Sequence, residues 1–129
     1  PDDRLVMVEQ YRQGTNLVEL ELPGGMIDPG EGPLGTAARE LREETGYAGD
    51  APKSGGFVYA NPAIMNNKVH TVVIRNAAKQ HDTELDAGED LITRLVPLAE
   101  IPKLIDNGTI SHSLMVAALC RFQTAENGG

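Results

Sequence analysis

The stretch from Gly25 to Tyr47, GMIDPGEGPLGTAARELREETGY, constrains this chain more than any other. Between Pro33 and Thr45 the residues Leu34, Ala37, Ala38 and Leu41, with the methyl of Thr45, recur at the i, i+3, i+4, i+7 spacing of one helical face. Pro33 suits the first helical position, and Gly46 suits the left-handed residue that ends a helix. At roughly 100° per residue, Glu40, Glu43 and Glu44 project within an arc of about 100° beside the apolar stripe. Such a cluster is locally unfavourable. Glu40 and Glu44 are like charges at i, i+4, and Glu43 and Glu44 occupy the last turn, where the helix dipole is negative; each effect costs about a few tenths of a kcal/mol. Taken in isolation, ELREE reads as a solvated charged face. A broken local rule marks a site, however, and a hard cation such as Mg²⁺ reverses the sign, because it takes oxygen ligands and needs several negative charges close together.

The rest of the chain sets bounds on that reading. Its 129 residues make one domain with a real core, and 40% hydrophobic with 23% charged residues is ordinary for a globular protein. A formal charge of −8 argues against a general nucleic-acid binder and against an acidic membrane surface, both of which need a basic footprint. It does not argue against a phosphorylated ligand held through cations. Cys120 is the single cysteine, so no internal disulfide forms, and no apolar run reaches the length of a membrane span or signal sequence; a cytoplasmic protein is expected.

In chain order, Arg4 to Gln13 reads as a strand with its run Leu5 to Val8 buried on both faces. Leu17 to Leu22 alternates, with Val18, Leu20 and Leu22 on one face and Glu19 and Glu21 on the other. Pro23 ends that strand, and Gly24-Gly25 lets the backbone approach whatever lies beside the helix. After a polar connection from Tyr47 to Ser54, strands are expected at Gly55 to Ala60 and Lys68 to Arg75, joined by the loop Asn61 to Asn67. Ala77 to Asp90 is long, acidic and without periodicity, the kind of loop that is functional or disordered. A short strand at Leu91 to Val96 and a short helix at Pro102 to Asn107 follow. Ser111 is expected to cap a last helix, His112 to Gln123, with Leu114, Met115, Ala118, Leu119 and Phe122 as its apolar face, Cys120 as a buried thiol, and Ala125 to Gly129 as a frayed tail. His70, His81 and His112 read as a strand, a loop and a helix-end residue. Strands, helix, strands, helix suits a mixed sheet packed between helices.

Gly25, five residues, Glu31, seven residues, then Arg39-Glu40-Leu41-Arg42-Glu43-Glu44-Thr45-Gly46-Tyr47 resembles the Nudix box, Gly-x5-Glu-x7-Arg-Glu-apolar-x-Glu-Glu-x-Gly-apolar. Every specified position is filled, with an aromatic at Tyr47 where an aliphatic is more usual. The resemblance implies a Nudix fold, an α/β/α sandwich with a mixed β-sheet between α-helices, as a single domain over 1–129. Relatives of this kind have a strand and an extension ahead of the first strand. Pro1-Asp2-Asp3 is turn chemistry, so the chain is expected to lack that segment.

The chemistry implied is hydrolysis of the diphosphate bond in a nucleoside diphosphate linked to another group, with Mg²⁺ as cofactor and Mn²⁺ as its substitute. The resemblance assigns metal binding to Glu40, Glu43, Glu44 and the carbonyl of Gly24. Arg39 orients the carboxylates, Glu31 braces the loop against the helix, and Gly25 and Gly46 shape the box. For the general base, relatives that cleave ADP-ribose draw a glutamate from a loop late in the domain, and Gly88-Glu89-Asp90-Leu91 resembles that loop. Glu89 is therefore chosen, with Glu40, the base in other branches, as its competitor. Glu9-Gln10-Tyr11-Arg12 and Glu21-Leu22-Pro23-Gly24-Gly25 resemble the ADP-ribose and nucleotide-sugar pyrophosphatase branch, as does Pro62, fifteen residues beyond Tyr47. Arg12 then meets a phosphate or ribose, or is a plain exposed strand arginine. Ala63 to Asn67 departs from the Gly and acidic residues more usual in ADP-ribose enzymes, which leaves ADP-sugars and GDP-mannose open. The partner expected is a small nucleotide, with a homodimer possible in this branch. A nucleoside triphosphate or dinucleoside polyphosphate hydrolase is the alternative within the class. Outside it stands a sensor that binds a nucleotide without cutting it; such modules usually have eroded box carboxylates, whereas this sequence keeps them all.

Overall fold

The computed structural model describes residues 3–86 and 90–128. Among these residues there are seven strands, β1 Arg4–Arg12, β2 Leu17–Glu21, β3 Tyr47–Ala48, β4 Lys53–Tyr59, β5 Lys68–Val73, β6 Ala78–Lys79 and β7 Ile92–Pro97, and three α-helices. The helices are α1 Pro33–Thr45, α2 Ile101–Asp106, entered through a 3-10 turn at Leu98–Glu100, and α3 Ser113–Gly128. The strands form three antiparallel pieces, β2-β1-β7, β3-β6 and β4-β5.

β1 is the centre of the largest piece because it pairs on both edges, with Val8 opposite Glu21 on one side and Thr93 on the other. Its side chains alternate, so Met7 and Val8, both fully buried, point to opposite faces. Met7 joins Leu20, Ile101, Ile110 and Leu119 in one core, with Leu5 and Val96 beside it, and this face of the sheet is covered by α2 and α3. α1 contacts β1 and β7, and Val8 lies on the face opposite the Met7 core. The result is the expected sandwich of helices around strands.

α1 has the bounds read from the sequence. Pro33 occupies its first turn, and Gly46 closes it at φ 79°, donating its N–H to the Arg42 carbonyl at 2.8 Å. Its orientation differs from the simple amphipathic reading. Leu34 is 39% exposed, whereas Thr36, Glu44 and Thr45 are buried, so the side turned inward is the polar one. Thr45 satisfies itself within the helix by donating its hydroxyl to the Leu41 carbonyl at 2.6 Å.

β2 departs from its pattern in the same way. Val18 is exposed while Glu19 and Glu21 are buried, because each acid has a partner the local pattern does not contain: the Ser111 hydroxyl for Glu19 at 2.5 Å and Arg12 for Glu21. Ser111 is thus not the cap of α3. His112 takes that part, its Nδ1 accepting the Leu114 N–H at 3.1 Å. α3 also runs to Gly128 instead of fraying from Ala125, with an Arg75–Glu126 ion pair near its end. Cys120 is exposed, not buried: the α3 residues that pack on the core are Met115, Val116 and Leu119.

The segment expected to be a structureless acidic loop is partly built into the fold. β6 pairs with β3, two residues on each side, and the N–H groups of Gln80 and His81 both donate to the Gly46 carbonyl at 2.9 Å. Glu84 donates its N–H to the Glu43 carbonyl at 2.7 Å. These bonds satisfy carbonyls that a helix end leaves without intrahelical partners. On the β4–β5 hairpin, an irregularity between Ser54 and Phe57 puts Gly56 at φ 92°, and Arg121 of α3 reaches the Gly55 carbonyl at 3.0 Å.

Gly46 and Gly56 are both at positive φ, but a methyl at Gly46 would lie 2.0 Å from the backbone carbonyl of His81, whereas at Gly56 it would meet the movable end of Arg121. Alanine in the left-handed region costs about 1–2 kcal/mol at either position. Urea unfolding is expected to show Gly46→Ala losing clearly more than Gly56→Ala, since only the first must displace backbone; equal losses would refute the docking of the 80–84 segment on the helix end.

Candidate active site

The site begins with Arg39, which lies in the middle of α1 and spreads its guanidinium over the loop that precedes the helix. Its Nε donates to Glu31 Oε2 at 2.8 Å and its Nη2 to Glu31 Oε1 at 3.0 Å, a two-pronged contact. Nη1 donates to Glu40 Oε1 at 3.0 Å and to Glu43 Oε2 at 3.1 Å. Asp28 stands 3.4 Å away, and the Met26 carbonyl accepts from Nη2 at 3.4 Å. One cation therefore faces four carboxylates.

Glu31 is the other junction. Besides Arg39 it accepts the Thr36 hydroxyl at 3.0 Å and the Asp28 N–H at 3.2 Å. Arg39, with lesser help from Thr36 and the Asp28 N–H, holds its carboxyl down at about 2, well below the usual range, against the opposing effect of desolvation. The same pairing with Glu31 raises Arg39 further above its ordinary value.

Gly24 and Gly25 bring the backbone against the acidic side of α1. Gly24 donates its N–H to Glu44 Oε2 at 2.9 Å, and Glu44 is only 5% exposed. A Cβ on Gly25 would lie 2.4 Å from Glu40 Oε1, so only glycine leaves that carboxylate its present place. The donor set of Glu40, Glu43 and Glu44 is all hard oxygen and negatively charged, and one guanidinium leaves that charge in excess. This chemistry fits a hard divalent cation. Among the described residues no three acidic, imidazole or thiolate groups are already gathered as a cation cage; the carboxylates are instead fanned around Arg39.

Arg12, at the end of β1, pairs with Glu21, and that hydrogen bond, with the charges of Glu21, Glu19 and Glu44, raises it above its ordinary value. Pro62 is exposed in the turn at the tip of the β4–β5 hairpin, where the Ile64 and Met65 N–H groups bond back to the Asn61 carbonyl. Glu89 lies outside the described residues. Sequence reasoning did not single out Thr36, Asp28 or the buried role of Glu21. The last had a signal, an acid alternating into a strand face that contains the Val8 position, but its burial depends on Arg12.

Glu31 ionises near 4.5 when unfolded and near 2 when folded. Its contribution to stability is therefore complete above the unfolded value and disappears as pH falls through the folded one. Glu31→Gln is expected to lower the melting temperature at neutral pH, with the gap to wild type narrowing from about pH 4.5 towards pH 2. A gap independent of pH in thermal melts would contradict this account of the brace.

A family model described as the NUDIX domain matches residues 1–119. The chain is 28% identical over 126 residues to an ADP-ribose pyrophosphatase of Bacillus subtilis, the match covering 97% of this chain and 68% of that protein. It is 31% identical, with the same coverage, to a methanol dehydrogenase activator of Bacillus methanolicus. A crystal structure of an ADP compounds hydrolase superposes with a TM-score of 0.87 at 28% identity, covering 99% of this chain and 69% of that one. The family match over nearly the whole length, the shared fold and the filled box agree: this chain belongs to the Nudix hydrolase family.

Proposed function

We propose that this Nudix hydrolase cleaves the diphosphate bond of a nucleoside diphosphate linked to a sugar, ADP-ribose or a related nucleotide sugar, giving a nucleoside monophosphate and a sugar phosphate. The observation that carries the reading is that Glu40, Glu43 and Glu44 share the side of α1 that meets Arg39 and the Gly24-Gly25 turn, Arg39 bonding two of the three and the Gly24 N–H the third. The names of the two ADP-compound relatives support the substrate class.

A diphosphate repels an incoming hydroxide, and more negative charge accumulates on its oxygens as the bond breaks. Glu40, Glu43, Glu44 and the Gly24 carbonyl would hold Mg²⁺, or Mn²⁺ in its place. When bound, such an ion neutralises phosphate oxygens and makes a coordinated water more acidic. The chain's own work is placement. Arg39 sets the side-chain angles of Glu40 and Glu43, and the Gly24 N–H sets that of Glu44. On the family resemblance Glu89 is the base that takes the proton of the attacking water, with Glu40, whose carboxylate accepts from Arg39, as its competitor. The segment that leads towards Glu89 is tied to the last turn of α1 at Glu84, five residues before it.

Hydrolysis of ADP-ribose, ADP-glucose, GDP-mannose, diadenosine polyphosphates and nucleoside triphosphates, with Mg²⁺ against EDTA, tests the reading by its products. The expected outcome is metal-dependent release of a nucleoside monophosphate from a diphosphate sugar. Glu43→Gln and Glu44→Gln should each lower kcat roughly 10²-fold or more with an unchanged circular dichroism spectrum. Near-normal turnover in both variants, or release of diphosphate from triphosphates as the dominant reaction, would overturn it.

A further inference from the structure

Thr36, Arg39, Glu40 and Glu43 recur along α1 at the i, i+3, i+4, i+7 spacing of one helical face. The last three are long side chains of the site itself. The first is short and 4% exposed, whereas the side chains of Arg39 and Glu31 are 24% and 26% exposed. Packing alone does not call for threonine there. It forms helix less readily than alanine, and its hydroxyl ordinarily turns back to the carbonyl four residues earlier. Thr45 of the same helix does this, donating to the Leu41 carbonyl at 2.6 Å. Thr36 does not: the Gly32 carbonyl takes its N–H at 3.0 Å, and its hydroxyl leaves the helix to donate to Glu31 Oε1 at 3.0 Å.

The use of that bond lies in what Glu31 carries. Glu31 Oε2 accepts from Arg39 Nε at 2.8 Å, and Oε1 accepts from Arg39 Nη2 at 3.0 Å and from the Asp28 N–H at 3.2 Å. The fork makes acid and guanidinium one planar unit, but the last torsion of a glutamate is broad, so the fork by itself leaves the unit free to turn as a whole. The Asp28 amide belongs to an exposed loop. Thr36 is different in kind, being buried, on a helix, and β-branched, hence stiff at the one torsion that aims its hydroxyl. Any turn of the unit moves Arg39 Nη1, which bonds Glu40 at 3.0 Å and Glu43 at 3.1 Å. A hydrogen bond thus joins every step from Thr36 to these two carboxylates.

We propose that Thr36 is a positioning residue for a divalent cation: its hydroxyl fixes Glu31, and through Glu31 and Arg39 the angles at which Glu40 and Glu43 meet the ion. This rests on the metal-dependent diphosphatase reading and adds to it a residue that acts through two others.

The test is the Mn²⁺ affinity of the full chain without nucleotide, followed by electron paramagnetic resonance of the free ion, so that turnover does not enter. Thr36→Val keeps the shape and stiffness of the side chain and removes only the hydroxyl; it should weaken Mn²⁺ binding about tenfold with an unchanged circular dichroism spectrum. Thr36→Ser keeps the hydroxyl and loses the methyl, and should restore most of the affinity. On a Glu31→Gln background, Thr36→Val should add nothing further. Should the valine variant fail to fold, Thr36→Ala, which also lacks the hydroxyl and suits a helix better, should weaken binding in the same way. Wild-type affinity in a folded Thr36→Val or Thr36→Ala variant, a loss in Thr36→Ser as large as in Thr36→Val, or an undiminished Thr36→Val effect without the Glu31 carboxylate overturns this inference while the diphosphatase reading stands. No Mn²⁺ binding by wild type overturns both.

Discussion

Arg39 answers Asp28, Glu31, Glu40 and Glu43 together, and through Glu31 it also fixes Thr36 and the turn at Asp28. Each pair is partly exposed and screened by water, so the importance of the arrangement is in geometry more than in stability. It makes a crowded set of acids compatible with a helix whose last turn disfavours them. It does so incompletely, since one positive charge cannot balance four negative ones. That remaining imbalance is what a divalent cation would correct, and it sits where two glycines let the backbone in.

Much of the surrounding structure follows from housing this group. α1 turns Thr36 and Glu44 inward and leaves Leu34 partly exposed, the reverse of an ordinary amphipathic helix on a sheet. The central sheet responds by facing α1 with Glu21 as well as Val8, and Arg12 compensates the acid. On its other face the sheet does what apolar patterning predicts, packing Met7 and Leu20 against Ile101, Ile110 and Leu119. The polar side carries the chemistry, and the apolar side supplies the fold. At the end of α1, carbonyls that would otherwise lack partners dock the 80–84 segment, so the acidic stretch and the acidic helix turn are joined by backbone bonds.

What could be read in the sequence was whatever depends on near neighbours. The helix from Pro33 to Thr45, its stop at Gly46 and the bracing residues of the box all follow from spacing within one stretch. The five longer strands are legible for the same reason, within a residue or two at their ends. What could not be read depends on distant partners. Glu19 looked like a solvent-facing residue until Ser111, 92 positions away, supplied a hydroxyl, and Ser111 looked like a helix cap for want of that acid. Two-residue strands such as β3 and β6 carry too little pattern to be seen, and exist because Gly46 and its neighbours give them something to pair with. Cys120 reads as buried because it adjoins the apolar residues of α3, one position past Leu119, and one helical step is enough to expose it.

The most direct test of the central claim, that these carboxylates form a site for a divalent cation in the folded chain, is the melting temperature as a function of Mg²⁺ concentration. An ion that binds only the folded state raises the midpoint progressively with concentration. The account predicts that rise for wild type and its loss in Glu43→Gln. A midpoint that stays constant through millimolar Mg²⁺ and Mn²⁺, or one that rises equally in the variant, would contradict it.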